Sequence, residues 1–147
     1  MVRTHQDITR MLITDEDRIL LLQRSLDSKF GAGKWCLPGG KISYPDEKPE
    51  DVVSREVLVE TGINVLRMEL LCKLVDFKDN IDYVTHYFKA LGWDRSSEVV
   101  INPESTNFDW VTSNDFLDLE FAFSSDARFL AGMSYGIPRP SLRFKIY

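Results

Sequence analysis

Extended segments on both sides of one sharply punctuated helix, with a second helix near the end, predict a layered α/β (α+β) domain. Three patterns carry that class. Residues 8–14 and 19–24 have strand character and are joined by Asp15-Glu16-Asp17, residues 49–62 have helical spacing, and extended character resumes at Val65. The chain has 147 residues, enough for one domain with a real core, and one domain over 1–147 is expected.

The second strand holds Ile19-Leu20-Leu21-Leu22, apolar enough to be central, with Arg24 at its end. A loop with Gly31 and Gly33 leads into the short strand Trp35-Cys36-Leu37, turned by Pro38. Gly39 and Gly40 follow, where backbone must bend or approach something closely. Pro49 opens the helix, Glu50 and Asp51 fill its first turn, and Gly62 stops it. Residues 65–77 and 83–93 read as strands around the turn Lys78-Asp79-Asn80. Residues 94–106 are polar and irregular, and 108–111 form a short strand. Thr112 or Ser113 can cap a short helix over 115–119, and Ser124 a last helix over 125–132. The tail with Pro138 and Pro140 is expected to strap the domain, and no repeat or linker interrupts the chain.

Composition excludes several classes. With 44% hydrophobic and 28% charged residues the chain is ordinarily globular, not disordered. A net charge of −5 leaves no broad basic surface for nucleic acid polymers. An acidic protein acting on phosphates would need a local cationic patch or a metal. Cys36 and Cys72 lie far apart in apolar runs, as buried free thiols of a reducing compartment would. No secretory leader and no apolar run of membrane-spanning length is visible, so a cytoplasmic protein without membrane contact is expected.

At about 100° per residue, Glu60 sits only about 40° from Glu56 on the helix. Val52 and Val59 flank Glu56 on one side, Val53 and Val57 on the other, while Glu50, Asp51 and Ser54 lie opposite. Both carboxylates therefore project from the apolar arc. An acid pair facing a core is costly unless a cation neutralises it, and Mg²⁺ or Mn²⁺ suits oxygen ligands. The alternative is a pair that reaches a rim and meets lysine or water.

The series Gly39-Gly40-Lys41, Glu47, Arg55-Glu56 and Glu60-Thr61-Gly62-Ile63 resembles the signature box of the Nudix hydrolases. The resemblance covers roughly residues 8–132 and implies a mixed sheet sandwiched between helices. It implies metal-dependent cleavage of a nucleoside diphosphate linked to another moiety. Glu56 and Glu60 would be metal ligands with the Gly40 carbonyl as a third, or Glu56 would instead act as general base. Glu47 would pair with Arg55 and hold the loop to the helix, with a solvated charge as the alternative. Gly39 and Gly62 complete the motif. Two departures stand out: six residues separate Gly40 from Glu47 instead of five, and Val59 replaces one acid of the box.

Tyr83-Val84-Thr85-His86-Tyr87-Phe88 and Phe108-Asp109-Trp110-Val111, with Ser125 and Arg128 beyond, are similar to the GDP-mannose mannosyl hydrolase branch. There an amide six positions before the tryptophan binds metal and a histidine beside it is the base; here Glu104 and Ser105 stand at those places. Glutamate can bind metal or take a proton, whereas serine cannot replace the base. Together with the order Arg55-Glu56, this favours attack at phosphorus on a nucleotide sugar such as GDP-mannose. Arg24 and Lys41 match positions that face the diphosphate or its leaving group, with a solvated strand end as the alternative. Phe30, Trp35 and Tyr44 could stack on a base, although Trp35 and Trp110 read better as core, His86 as a structural histidine and His5 as terminal surface. The expected partner is a small nucleotide, and a homodimer is compatible. A nucleoside triphosphate pyrophosphohydrolase would need the same box, and a catalytically weak Nudix-like binding module would explain Val59.

Overall fold

The run Ile19-Leu20-Leu21-Leu22 is buried at every position, so successive side chains enter opposite faces of one strand. Leu21 packs with Leu12, Leu37, Tyr87, Phe129 and Leu130, whereas Leu20 packs with Met11, Ile13, Val53, Val57 and Phe88. Two cores result. One lies under the C-terminal helix and the other under the motif helix, which is the sandwich expected of a mixed sheet between helices.

The computed structural model describes residues 3–134. In chain order its elements are β1 (Thr4–Leu12), β2 (Thr14–Asp15), β3 (Arg18–Arg24), β4 (Trp35–Cys36), α1 (Pro49–Thr61), β5 (Val65–Lys78), β6 (Ile81–Trp93), β7 (Ser105–Thr112), a 3-10 turn (Phe116–Asp118) and α2 (Ser124–Ser134). In one sheet β6 lies between a parallel β1 and an antiparallel β5. In the other, β3 pairs antiparallel with β2, β4 and β7. The glycine bend runs beside β1: Met11 N–H donates to the Pro38 carbonyl at 2.8 Å and Ile42 N–H to the Asp7 carbonyl at 3.0 Å.

The motif helix has the expected ends. Pro49 occupies its first turn, and Gly62 closes it at φ 76°, its N–H bonded to the Leu58 carbonyl at 2.9 Å. Val59, expected on the apolar arc, is 55% exposed because neither sheet reaches that side of the last turn. The strand expected over 108–111 starts instead at Ser105, since Asn107 pairs with Gln23 and Ser105 with Arg24 across a bulge. Ladder hydrogen bonds come from backbone, so polar side chains did not prevent pairing. Thr112 Oγ1 donates to the Asp115 carboxylate rather than capping a helix, and Ser124 belongs to α2 itself. Cys36 and Cys72 are buried free thiols, pushed up by burial to about 11 and about 12. The tail around Pro138 and Pro140 lies outside the described residues. Among the described residues no helix is long and apolar enough to cross a membrane.

Gly39 has φ 150°, and a Cβ there would stand 2.1 Å from the Thr9 carbonyl oxygen, which is backbone and cannot swing away. Gly39→Ala should therefore cost at least about 2 kcal/mol in chemical denaturation. Gly92→Ala, whose Cβ would meet nothing nearer than Arg67 Nε at 3.8 Å, should stay within about 0.5 kcal/mol of wild type.

Candidate functional site

The close approach at Gly39 aims its backbone N–H at the Glu60 carboxylate, 3.0 Å from Oε1. Glu60 is only 8% exposed. Burial, with the like charges of Glu104 and Glu56, pushes its carboxyl up to about 8 against the pull of Gly39 and Arg10. Glu56, one turn earlier, is half-buried against Gly40, where a Cβ would lie 2.5 Å from its Cγ. Burial raises Glu56 as well, opposed by Arg55 and assisted by Glu104 and Glu47. The two helical acids thus face inward together, as the helical spacing predicted.

Glu47 keeps its tie despite the longer loop. Arg55 Nη1 donates to Glu47 Oε2 at 3.0 Å, and Glu47 Oε1 accepts from Tyr44 N–H at 3.2 Å. The Arg55 bond holds the Glu47 carboxyl below the usual range. The extra residue is accommodated in the exposed turn before Glu47.

Glu60, Glu104, Arg24, Arg10 and Gly39 line one narrow cleft of about 30 Å³, room for an ion or a water or two. Arg24 is anchored by its Nε, which donates to the Phe30 carbonyl at 2.9 Å. Three expected site residues are not brought into the cleft, and Glu56, which lies against Gly40, is one of them. Lys41 is exposed, bridges to Ile8 on the outer side of the bend and does not line the cleft. The Gly40 carbonyl, expected as a ligand, already accepts from Thr9 N–H at 2.7 Å and Thr9 Oγ1 at 2.9 Å, so it is directed into β1. Among the described residues, no group of three acids, histidines or cysteines stands in ready coordinating geometry.

Beside the cleft lies a larger cavity of about 420 Å³, walled by Phe30, Phe77, Tyr83 and Phe123 with Asp76, Thr85 and Ser125 at its polar points. Phe30 stacks on Phe123 at 5.4 Å, and Arg128 bonds Asp76 at the rim. Tyr44 is exposed away from it. Beneath both spaces sits a buried polar network that the sequence reading passed over. Asp126 accepts from Tyr87 Oη at 2.7 Å and from Leu37 N–H at 3.1 Å, and its Oδ2 lies 3.8 Å from Arg10 Nε. Burial works against the Arg10 charge most strongly, but Asp126, Cys36, Tyr87 and Glu60 together outweigh it, and the guanidinium is held above its usual range. The available signal was an arginine within Ile8-Thr9-Arg10-Met11-Leu12, a charge inside an apolar strand. His86 is structural, as read, its Nε2 2.8 Å from Asp7 Oδ1.

A family model described as NUDIX domain matches residues 4–132. The chain belongs to the Nudix hydrolases. No curated protein sequence matches it significantly. A MutT protein from Methanosarcina mazei shares the fold with a TM-score of 0.79 and 27% identity, over 94% of this chain and 99% of that one. A MutT NUDIX hydrolase from Burkholderia pseudomallei superposes with a TM-score of 0.73 and 26% identity, over 87% and 97%. An ADP-ribose pyrophosphatase from Streptococcus suis gives 0.59 and 25% over 90% and 92%. These similarities establish the superfamily, not the mannosyl hydrolase branch.

Glu60 also ties the Nudix site to folding. Its folded value of about 8 exceeds the ordinary 4.5, so the native state binds a proton that the unfolded chain has released. That contribution is complete below pH 4.5 and is lost as pH rises to about 8. Thermal melts in chelator should show wild type losing stability over this window, and Glu60→Gln should decline less. Parallel profiles would contradict the buried, protonated Glu60.

Proposed function

We propose that this Nudix hydrolase cleaves a nucleoside diphosphate linked to another moiety, with Mg²⁺ or Mn²⁺ held by Glu60 and Glu104, which line the cleft, and with Glu56 as the base instead of a ligand. The observation that carries this is the adjacency of an acid cleft the size of an ion to an aromatic cavity of about 420 Å³. That volume lies within the range of small-molecule sites, and aromatic walls suit a base. The donor set fits a hard cation: Glu104 and Glu56 help raise the Glu60 carboxyl, and a divalent charge would relieve that repulsion. Bound there, the ion would neutralise phosphate charge and acidify a water.

The chain's own groups supply the rest. Arg24, fixed through Nε, offers its remaining N–H groups to the diphosphate. Glu56, with raised proton affinity, accepts the proton of the attacking water, and Glu104 is placed near enough to influence both helical acids. Water oxygen bonds to phosphorus as the bridging P–O bond breaks, leaving a nucleoside monophosphate and a phosphorylated moiety. Ser105 at the position of the mannosyl hydrolase base supports phosphorus over sugar carbon. The ADP-ribose pyrophosphatase among similar structures supports a nucleotide sugar.

The test is a panel of ADP-ribose, GDP-mannose, dinucleotides and triphosphates with Mg²⁺ or Mn²⁺, products read by mass. A monophosphate with a sugar phosphate is expected, and Glu60→Ala should lower turnover at least about 100-fold. Unchanged turnover in that variant would overturn the site. Pyrophosphate released only from triphosphates would replace this substrate class, free sugar would place attack at carbon, and binding without turnover would leave a binding module.

A further inference from the structure

Among the described residues, Arg10 is the one side chain that lines both the acid cleft and the aromatic cavity. It is 8% exposed, on the part of β1 that runs beside Tyr87 of β6. Its Cζ stands 4.6 Å from the centre of the Phe123 ring, a wall of the aromatic cavity. A guanidinium carries five N–H donors in a fixed fork. Here Nη1 donates to the Thr9 carbonyl at 3.0 Å, while Nε is buried without a hydrogen-bond partner among the described residues. Its counter-ion does not satisfy it: Asp126, held by Tyr87 Oη and Leu37 N–H, keeps its Oδ2 3.8 Å from Nε, beyond hydrogen-bond reach. A buried cation with unspent donors is expensive, and an anion with several acceptor oxygens removes the cost.

The geometry points to Arg10 as the residue that holds the phosphoryl group nearest the nucleoside. This rests on the substrate class proposed above and adds how one ligand bridges the two spaces. A nucleoside in the aromatic cavity must send its phosphate chain past Arg10 to reach Glu60 and Arg24, so the guanidinium meets the first phosphate on that path. Asp126, fixed by Tyr87 and Leu37, is then the positioning residue that holds the fork in place. A purely structural ion pair between β1 and α2 would not distinguish a phosphorylated ligand from a bare nucleoside.

Calorimetric titration in chelator separates the two. Adenosine, AMP, guanosine and GMP are titrated into wild type and Arg10→Gln, with melts confirming that the variant is folded. In wild type at least one monophosphate should bind about 10- to 100-fold tighter than its nucleoside. Arg10→Gln should erase that gain and leave nucleoside affinity within about twofold. A gain that persists in the folded variant overturns the proposal, as does wild type that binds neither monophosphate more tightly than its nucleoside. If Arg10→Gln does not fold, the Arg10 Nε–H resonance of ¹⁵N-labelled wild type decides. It should move on saturation with the tighter monophosphate and stay put with the nucleoside; no movement with the monophosphate overturns the assignment. Since neither metal nor turnover enters these measurements, their failure leaves the Glu60 test of hydrolysis standing.

Discussion

The contact between the Gly39 N–H and the Glu60 carboxylate is the constraint from which the site follows. It exists because the bend lies against β1 so closely that no side chain fits at Gly39. It needs α1 to lie under the same bend, which Val52, Val53 and Val57, all fully buried, enforce. A carboxylate is thereby fixed where water is scarce, and its chemistry becomes that of its neighbours rather than of solvent. Glu56 is held by the same packing one turn earlier, and Glu47 with Arg55 pins the outer end of the loop.

The opposite wall of the cleft comes from the second sheet. Arg24 ends β3 and Glu104 immediately precedes β7, and the bulge between Gln23 and Arg24 brings those strand ends together. Helix α1 and the β3–β7 pair do not follow one another in the chain, so the distance between Glu60 and Glu104 is set by core packing. The two clusters on either face of β3 act as that spacer. Tight interiors transmit such spacing well, because their side chains occupy few alternative arrangements.

Local chemistry made much of this legible before any coordinates. Pro49 and Gly62 bounded α1 because helix ends have requirements that few residues meet, and Glu56 with Glu60 shared a side because helical rotation is fixed. The Glu47–Arg55 tie was implied by the resemblance to the Nudix box, with a solvated charge as the alternative, and it forms despite the longer loop. Val59 was misplaced because a helical wheel says nothing about how wide the neighbouring surface is. The direction of the Gly40 carbonyl was not legible because it is set by Thr9, a residue from another strand. Arg10 and Asp126, and the aromatic cavity they underlie, could not be seen. The contacts between them and with Tyr87 and Leu37 join segments distant in sequence, and a single charge in an apolar strand does not name its partner.

Burying acids beside one another raises the question of how the empty fold tolerates them. With its carboxyl at about 8, Glu60 holds a proton at neutral pH, so the metal-free cleft does not carry two bare carboxylates in a low dielectric. The proton stands where a cation would otherwise be needed, and Gly39 N–H bonds the carboxyl oxygen in either state. Arg10 and Arg24 then leave the cleft biased toward anions before any metal arrives. On the proposed function the guanidinium groups would hold a phosphate, and a divalent ion held by Glu60 and Glu104 would supply the neutralisation that the Glu60 proton supplies in the empty cleft.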